Sequence, residues 1–116
     1  MAAMEILSTS PNQCFELKAH VWEARNSLWV YSPVLWDLQR DAALFVFRDQ
    51  FWSVDTDHWV SDSKVCLSLR KYPGNHRPES LSVEIDCVSL QATILPATNT
   101  TLAELEAVLE HMLLSM

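Results

Sequence analysis

Residues 65–86 read VCLSLRKYPGNHRPESLSVEID, and their pattern decides the fold class. Val65, Leu67 and Leu69 alternate with Cys66, Ser68 and Arg70, while Leu81, Val83 and Ile85 alternate with Ser82, Glu84 and Asp86. Successive side chains of an extended chain point to opposite faces, so each run has one apolar and one polar face. Between them, Pro73, Gly74, Asn75 and Pro78 supply turn chemistry, with Gly74 suited to the positive φ of a type II turn. The stretch predicts an antiparallel hairpin. Matching its apolar faces puts Leu67 beside Ile85, Leu69 beside Val83 and Val65 opposite Cys87. Cys66 then faces outward and Cys87 inward, so a bridge between them would need a register slip. Free thiols are expected for Cys14, Cys66 and Cys87, with Cys87 a small core hydrophobe.

Working back from the hairpin, Phe15, Leu17, Ala19 and Val21 alternate with Cys14, Glu16, Lys18 and His20, which predicts a half-buried strand. Residues 22–26 read as a connection. Residues 27–32 read as a short strand with both faces apolar, Leu28 and Val30 on one and Trp29 and Tyr31 on the other. From 33 to 40 the chain reads as a brief helical turn opened by Pro33 and capped by Ser32, or equally as a loop. Residues 43–48 predict a strand. Residues 51–62 fit no single period and are expected to form a mostly irregular connection.

Working forward, Val88 to Leu95 continues as extended chain, with a bend near Val88-Ser89 and an end at Pro96. Thr101 and Glu104 have the spacing of a capping box. Leu102, Leu105, Leu109, Met112 and Leu113 recur at helical spacing behind them, so a C-terminal helix is expected to cover one sheet face. The fold class that follows is α+β: a mostly antiparallel sheet of four to five strands packed on a C-terminal helix as a two-layer sandwich. The length of 116 residues suits one domain, 1–116.

Composition narrows the function. The formal charge is −7, from 15 Asp and Glu against 8 Lys and Arg, whereas nucleic-acid binders need a positive footprint. The same balance points away from anionic membranes and toward a basic protein partner. No apolar run approaches the ~20 residues of a membrane span. Residues 1–9 carry Glu5 and no Lys or Arg, unlike the start of a secretory leader, so a cytoplasmic setting is expected. A single glycine, Gly74, is too few for a phosphate-cradling loop, and no cofactor is expected.

Three groups of residues could carry chemistry. Asp55, Asp57, His58 and Asp62 carry metal-ligand atoms at short spacing, but a solvated acidic loop explains them as well, and no metal is expected. Cys14 or Cys66 with His20, His58, His76 or His111 would need a nucleophile–base contact and an oxyanion site, and no nucleophile elbow is present. The five tryptophans, at 22, 29, 36, 52 and 59, carry more information. Between Asp37 and Asp62, six aspartates stand against Arg40 and Arg48, a local net of −4. Aromatic anchors among acids are the anatomy of a protein-binding patch. The expected partner surface is Trp36, Asp37, Asp41, Asp49, Trp52, Asp55, Asp57, His58, Trp59 and Asp62. The expected function is non-catalytic: an immunity-type or antitoxin-like inhibitor, monomeric or homodimeric, that neutralises a basic partner such as a toxin nuclease. The alternatives are a chaperone or adaptor for a secreted or assembling protein, and a small hydrolase or metal-assisted enzyme.

Overall fold

The computed structural model of the chain describes residues 3–25, 28–72 and 80–114. They form β1 (Ala3–Thr9), β2 (Phe15–Arg25), β3 (Leu28–Asp37), β4 (Ala42–Val46), β5 (Trp52–Trp59), β6 (Lys64–Lys71), β7 (Leu81–Asp86), β8 (Gln91–Ile94), β9 (Thr98–Thr101) and the helix α1 (Leu102–Leu114). The strands make two antiparallel meanders, β1-β2-β3-β4 and β5-β6-β7-β8-β9, and each strand pairs with its neighbours in sequence. The fold is therefore an α+β sandwich with a C-terminal helix. Its strands are more numerous than the sequence pattern suggested, and they are divided between two sheets.

The extra strands have local causes. Residues 33–37 continue β3 through Pro33, where a helical turn or loop was expected. Tyr31 N–H donates to Ser53 Oγ at 2.9 Å, so odd-numbered nitrogens in this part of β3 face away from β2. On that side β4 pairs only with Val34 to Asp37, so the missing N–H of Pro33 costs no ladder bond. Residues 52–59 form a regular strand where an irregular connection was expected. Val54 pairs with Leu69 and Thr56 with Ser68, leaving Asp55 as an extra bulged residue. The bulge shifts the phase of the strand, so Trp52 and Val54 are buried before it and Asp57 and Trp59 are half-buried after it. That phase shift hid the period.

In the hairpin of β6 and β7, Val65 pairs with Ile85, Leu67 with Val83 and Leu69 with Leu81. The register lies two residues from the expected one. A two-residue shift keeps every side chain on its face, which is why the apolar pattern alone did not distinguish them. The turn expected at Pro73 to Pro78, with Gly74 and His76, lies outside the described residues. Residues 87–90 form a turn rather than extended chain, with Asp86 Oδ1 accepting the N–H groups of Val88 and Ser89 at 2.9 and 3.1 Å.

The second sheet crosses the inner face of the first. β5 begins beside β3 at Ser53 and ends against β1, where Trp59 Nε1 donates to Ser8 Oγ at 2.8 Å. The chain turns this corner between Val46 and Trp52, as strands that change sheets commonly do. One core joins both sheets and α1, with Leu17 and Leu35 from the first sheet and Trp52, Leu69 and Ile85 from the second. Leu105 and Leu109 from the helix complete it. Thr101 Oγ1 accepts Glu104 N–H at 3.3 Å, the cap that the sequence predicted. Thr98 to Thr100, directly before it, pair with β8 as a strand. Among the described residues no helix is long and apolar enough to cross a membrane.

Candidate protein-binding surface

The structure distributes the ten expected surface residues over several faces. Trp52 is fully buried, stacked on Phe47 with ring centroids 5.3 Å apart, so it belongs to the core and not to a partner surface. Asp37 is also buried. Its Oδ1 accepts the N–H groups of Gln39 and Arg40 at 3.0 and 3.1 Å, so it caps the turn into β4. Both are removed from the expected surface.

The other eight differ in how far they are committed to internal contacts. Asp49 accepts Phe51 N–H at 2.9 Å and lies 3.0 Å from Lys71 Nζ. Burial pushes its carboxyl up, but these two partners outweigh it and hold the pKa below the ordinary value. Asp55 pairs with Arg70 at 3.1 Å. Trp59 is half-buried with its indole bound to Ser8. Trp36 lies half-buried on the outer face of the first sheet, with Lys18 Nζ 4.3 Å from its ring centroid. His58 is exposed and opposite Cys66 on the second sheet, Asp57 is half-buried, and Asp41 and Asp62 are exposed in turns. Trp36 thus belongs to β3, Asp41 and Asp49 flank β4, and Asp55, Asp57, His58, Trp59 and Asp62 lie on or just after β5. Among the described residues, no group of three or more His, Cys, Asp or Glu side chains could hold a metal ion.

An aromatic and acidic surface does exist, but on β2 and β3. Trp29 and Tyr31 are two residues apart on one face of β3 and are 51% and 36% exposed. Trp29 pairs with the exposed Glu23, and Tyr31 with Val21. The exposed Glu5, opposite Ala19 on β1, shares that face. The run around Trp29 is apolar on both faces, so alternation carried no signal about which side lies open.

A second feature has no counterpart in the sequence reading. An open groove of about 560 Å³ lies between the edge of β4 and the first turns of α1. Leu44, Phe45 and Val46 form one wall, and Leu90, Leu102 and Ala103 form the other. Among its described lining residues there is no histidine and no cysteine. Arg48 and Glu106 stand at one end, where the Glu106 carboxylate accepts the N–H groups of Arg48 and Asp49 at 2.7 and 3.0 Å. Among the described residues, β4 has β3 on one side and no strand on the other.

The three cysteines are free. Burial, with the charges of Asp86 and Asp37, pushes the Cys87 thiol up to about 12. Burial and then the Glu84 carboxylate, which accepts from Sγ at 3.7 Å, raise Cys66. Neither is primed as a nucleophile. Compared with models of known families, with curated proteins and with solved structures, the chain matches none.

Proposed function

We propose that this chain is a non-catalytic, cytoplasmic protein-binding protein that neutralises a basic partner, in the manner of an immunity protein or antitoxin. The observation that supports this reading is the pair Trp29 and Tyr31, exposed in line on β3 with Glu23 and Glu5 on the same face. Exposed Trp and Tyr are the side chains from which interface hot spots are most often built, and nearby carboxylates steer a basic surface onto them. The formal charge of −7 favours the same class of partner.

The test is affinity capture from native lysate with the wild-type chain and with a Trp29→Ala, Tyr31→Ala double variant. The expected result is a stoichiometric basic protein retained by the wild type, lost from the variant, and released progressively as salt rises. An acidic partner, or retention unchanged in the variant, would count against this surface. Among the described strands, β1 and β4 end the first sheet and β5 and β9 the second, and such edges favour a second reading as an adaptor or chaperone that presents an edge. The mass in solution separates the two readings, since an obligate dimer supports the adaptor.

A further inference from the structure

We infer that the outer face of the first sheet, turned away from the core, docks a second copy of this chain to form a reversible dimer. The registers fix which residues lie there. Leu17 and Leu35 belong to the core, so even-numbered residues of β2 and β3 point the other way. One row crosses all four strands as Ile6, Lys18, Val34 and Val46. Met4 and His20 lie in the next row on one side, and Glu16 and Trp36 in the next row on the other. Trp29 and Tyr31, odd-numbered on β3, lie on the opposite face, so the two surfaces are separate.

This face is apolar and open. Ile6, Val46 and Met4 are 63%, 48% and 44% exposed, at the two flanks of the sheet. Trp36 is half-buried on the same face. At one end Trp22 meets the exposed Phe51 edge-on, with ring centroids 5.2 Å apart, so apolar surface continues to the corner of the sheet. Isolated exposed hydrophobic residues are ordinary, but a set that lines one sheet face marks an association surface.

Charge and area select a second copy as the occupant. The chain carries −7, yet among the paired, described residues of this face the only Asp, Glu, Lys or Arg side chains are Glu16 and Lys18. They lie 3.6 Å apart, and Lys18 Nζ is also 4.3 Å from the Trp36 ring centroid. This pair is satisfied and mostly out of water within one copy, so docking adds little desolvation cost. A strongly basic or acidic partner finds no excess of opposite charge here. A neutral, apolar face matches itself across a two-fold axis and keeps the remaining acids of both copies on the far sides. Four strands wide and four residue pairs long, the face measures about 500 Å². Two copies together bury about 1,000 Å², the lower end for a specific interface, which suits a weak dimer. Each copy has a complete core of its own, so this is not the obligate dimer of the adaptor reading.

The test is sedimentation equilibrium of the full chain from about 5 μM to about 1 mM, where the mass should rise from that of the monomer toward twice it. Ile6→Glu and Val46→Glu each bury an unpaired carboxylate in the contact and should each weaken self-association about tenfold or more. Trp29→Ala, on the opposite face, should leave it unchanged. Added salt should strengthen the dimer by screening the net charge of each copy, the reverse of the release expected for a basic partner at Trp29 and Tyr31. As a readout that needs no variant, the methyl resonances of Ile6 and Val46 should shift with concentration in the wild-type chain. Those of Val88 and Leu114, exposed elsewhere, should stay fixed. A chain that remains monomeric throughout overturns the proposal. So does self-association that survives both substitutions or leaves the Ile6 and Val46 methyls unmoved. Neither result bears on the Trp29 and Tyr31 surface, which is decided by the lysate capture.

Discussion

Trp52 Nε1 donates to Glu110 Oε1 across 2.9 Å, and this contact ties the largest fully buried side chain of the core to the C-terminal helix. The same oxygen lies 2.6 Å from Lys71 Nζ, and the ammonium also reaches Asp49 at 3.0 Å. The second sheet, the connection that leads into it and the helix therefore meet at one lysine. Glu110 is the acceptor shared by the indole and the ammonium at this junction.

Replacing Glu110 is expected to show which of its two roles matters more. Glu110→Ala leaves the indole N–H without its acceptor and should cost about 1–3 kcal/mol. Glu110→Gln keeps an acceptor for Trp52 and weakens only the ion pair, so it should cost less, about 1 kcal/mol. Urea unfolding followed by tryptophan fluorescence measures both. Equal losses in the two variants would assign the whole effect to charge.

The pH dependence of stability follows from the same cluster. The Asp49 pKa is held below its ordinary value of 3.8, so its contribution is present above that value and is lost as pH falls through the folded pKa. For Lys71, burial pushes the pKa down, but the hydrogen bonds and charges of Glu110 and Asp49 prevail and raise it above 10.5. Its contribution is full below 10.5 and is lost as pH rises through the folded pKa. Stability should therefore decline on the acid side below pH ~4 and on the alkaline side above pH ~10.5. In Lys71→Met the acid decline from Asp49 should become shallower. Denaturant midpoints taken across the pH range provide the measurement.

Thiol reactivity should separate the cysteines. Cys87 is 4% exposed, with its pKa pushed up to about 12, so at pH 7.5 it should resist a disulfide reagent until the chain unfolds. Cys14 and Cys66 are half-buried; Cys14 should be modified in the native protein, and Cys66, whose thiol burial and Glu84 push up, more slowly. Mass spectrometry of the labelled peptides identifies the sites. Rapid native labelling of Cys87 would show that the end of the sandwich opens readily.

The helix cap can be tested on its own. Thr101→Ala removes the acceptor for Glu104 N–H and should cost about 1 kcal/mol. On a domain of this size that lowers the melting temperature by about 4 °C. Thr101→Ser, which keeps the hydroxyl, should melt close to the wild type.

The legible parts of the fold were those in which one face was apolar and the other was not. Leu17 and Ala19, the inward faces of β6 and β7, and the capped helix beginning at Leu102 all fall in that class. The hidden parts involve residues whose meaning depends on a distant partner or on a break in phase. Asp55 interrupts β5 with a bulge, and Pro33 is tolerated only because β4 has ended beside it. Trp52 lies in the core and Trp29 at the surface for a related reason. Trp52 is enclosed by Phe47 and by Lys71 and Glu110, which are remote in sequence, while Trp29 sits in a run that is apolar on both sides. The groove beside β4 was also illegible, because its two walls are separated by more than forty residues.

Among the described residues, each strand pairs only with its neighbours in sequence, so most of this architecture can form by successive local closures. The clasp made by Glu106 on the N–H groups of Arg48 and Asp49 is different, since it spans 58 and 57 residues. Closing so long a loop carries an entropic cost before any contact rewards it. The expected order of assembly is therefore sheets first and helix last, with the helix also the first part to detach. Native-state hydrogen exchange should show the amides of Leu105 and Leu109 opening at lower free energy than those of Leu67 and Val83. If the four exchange together, sheets and helix rise and fall as one kinetic unit.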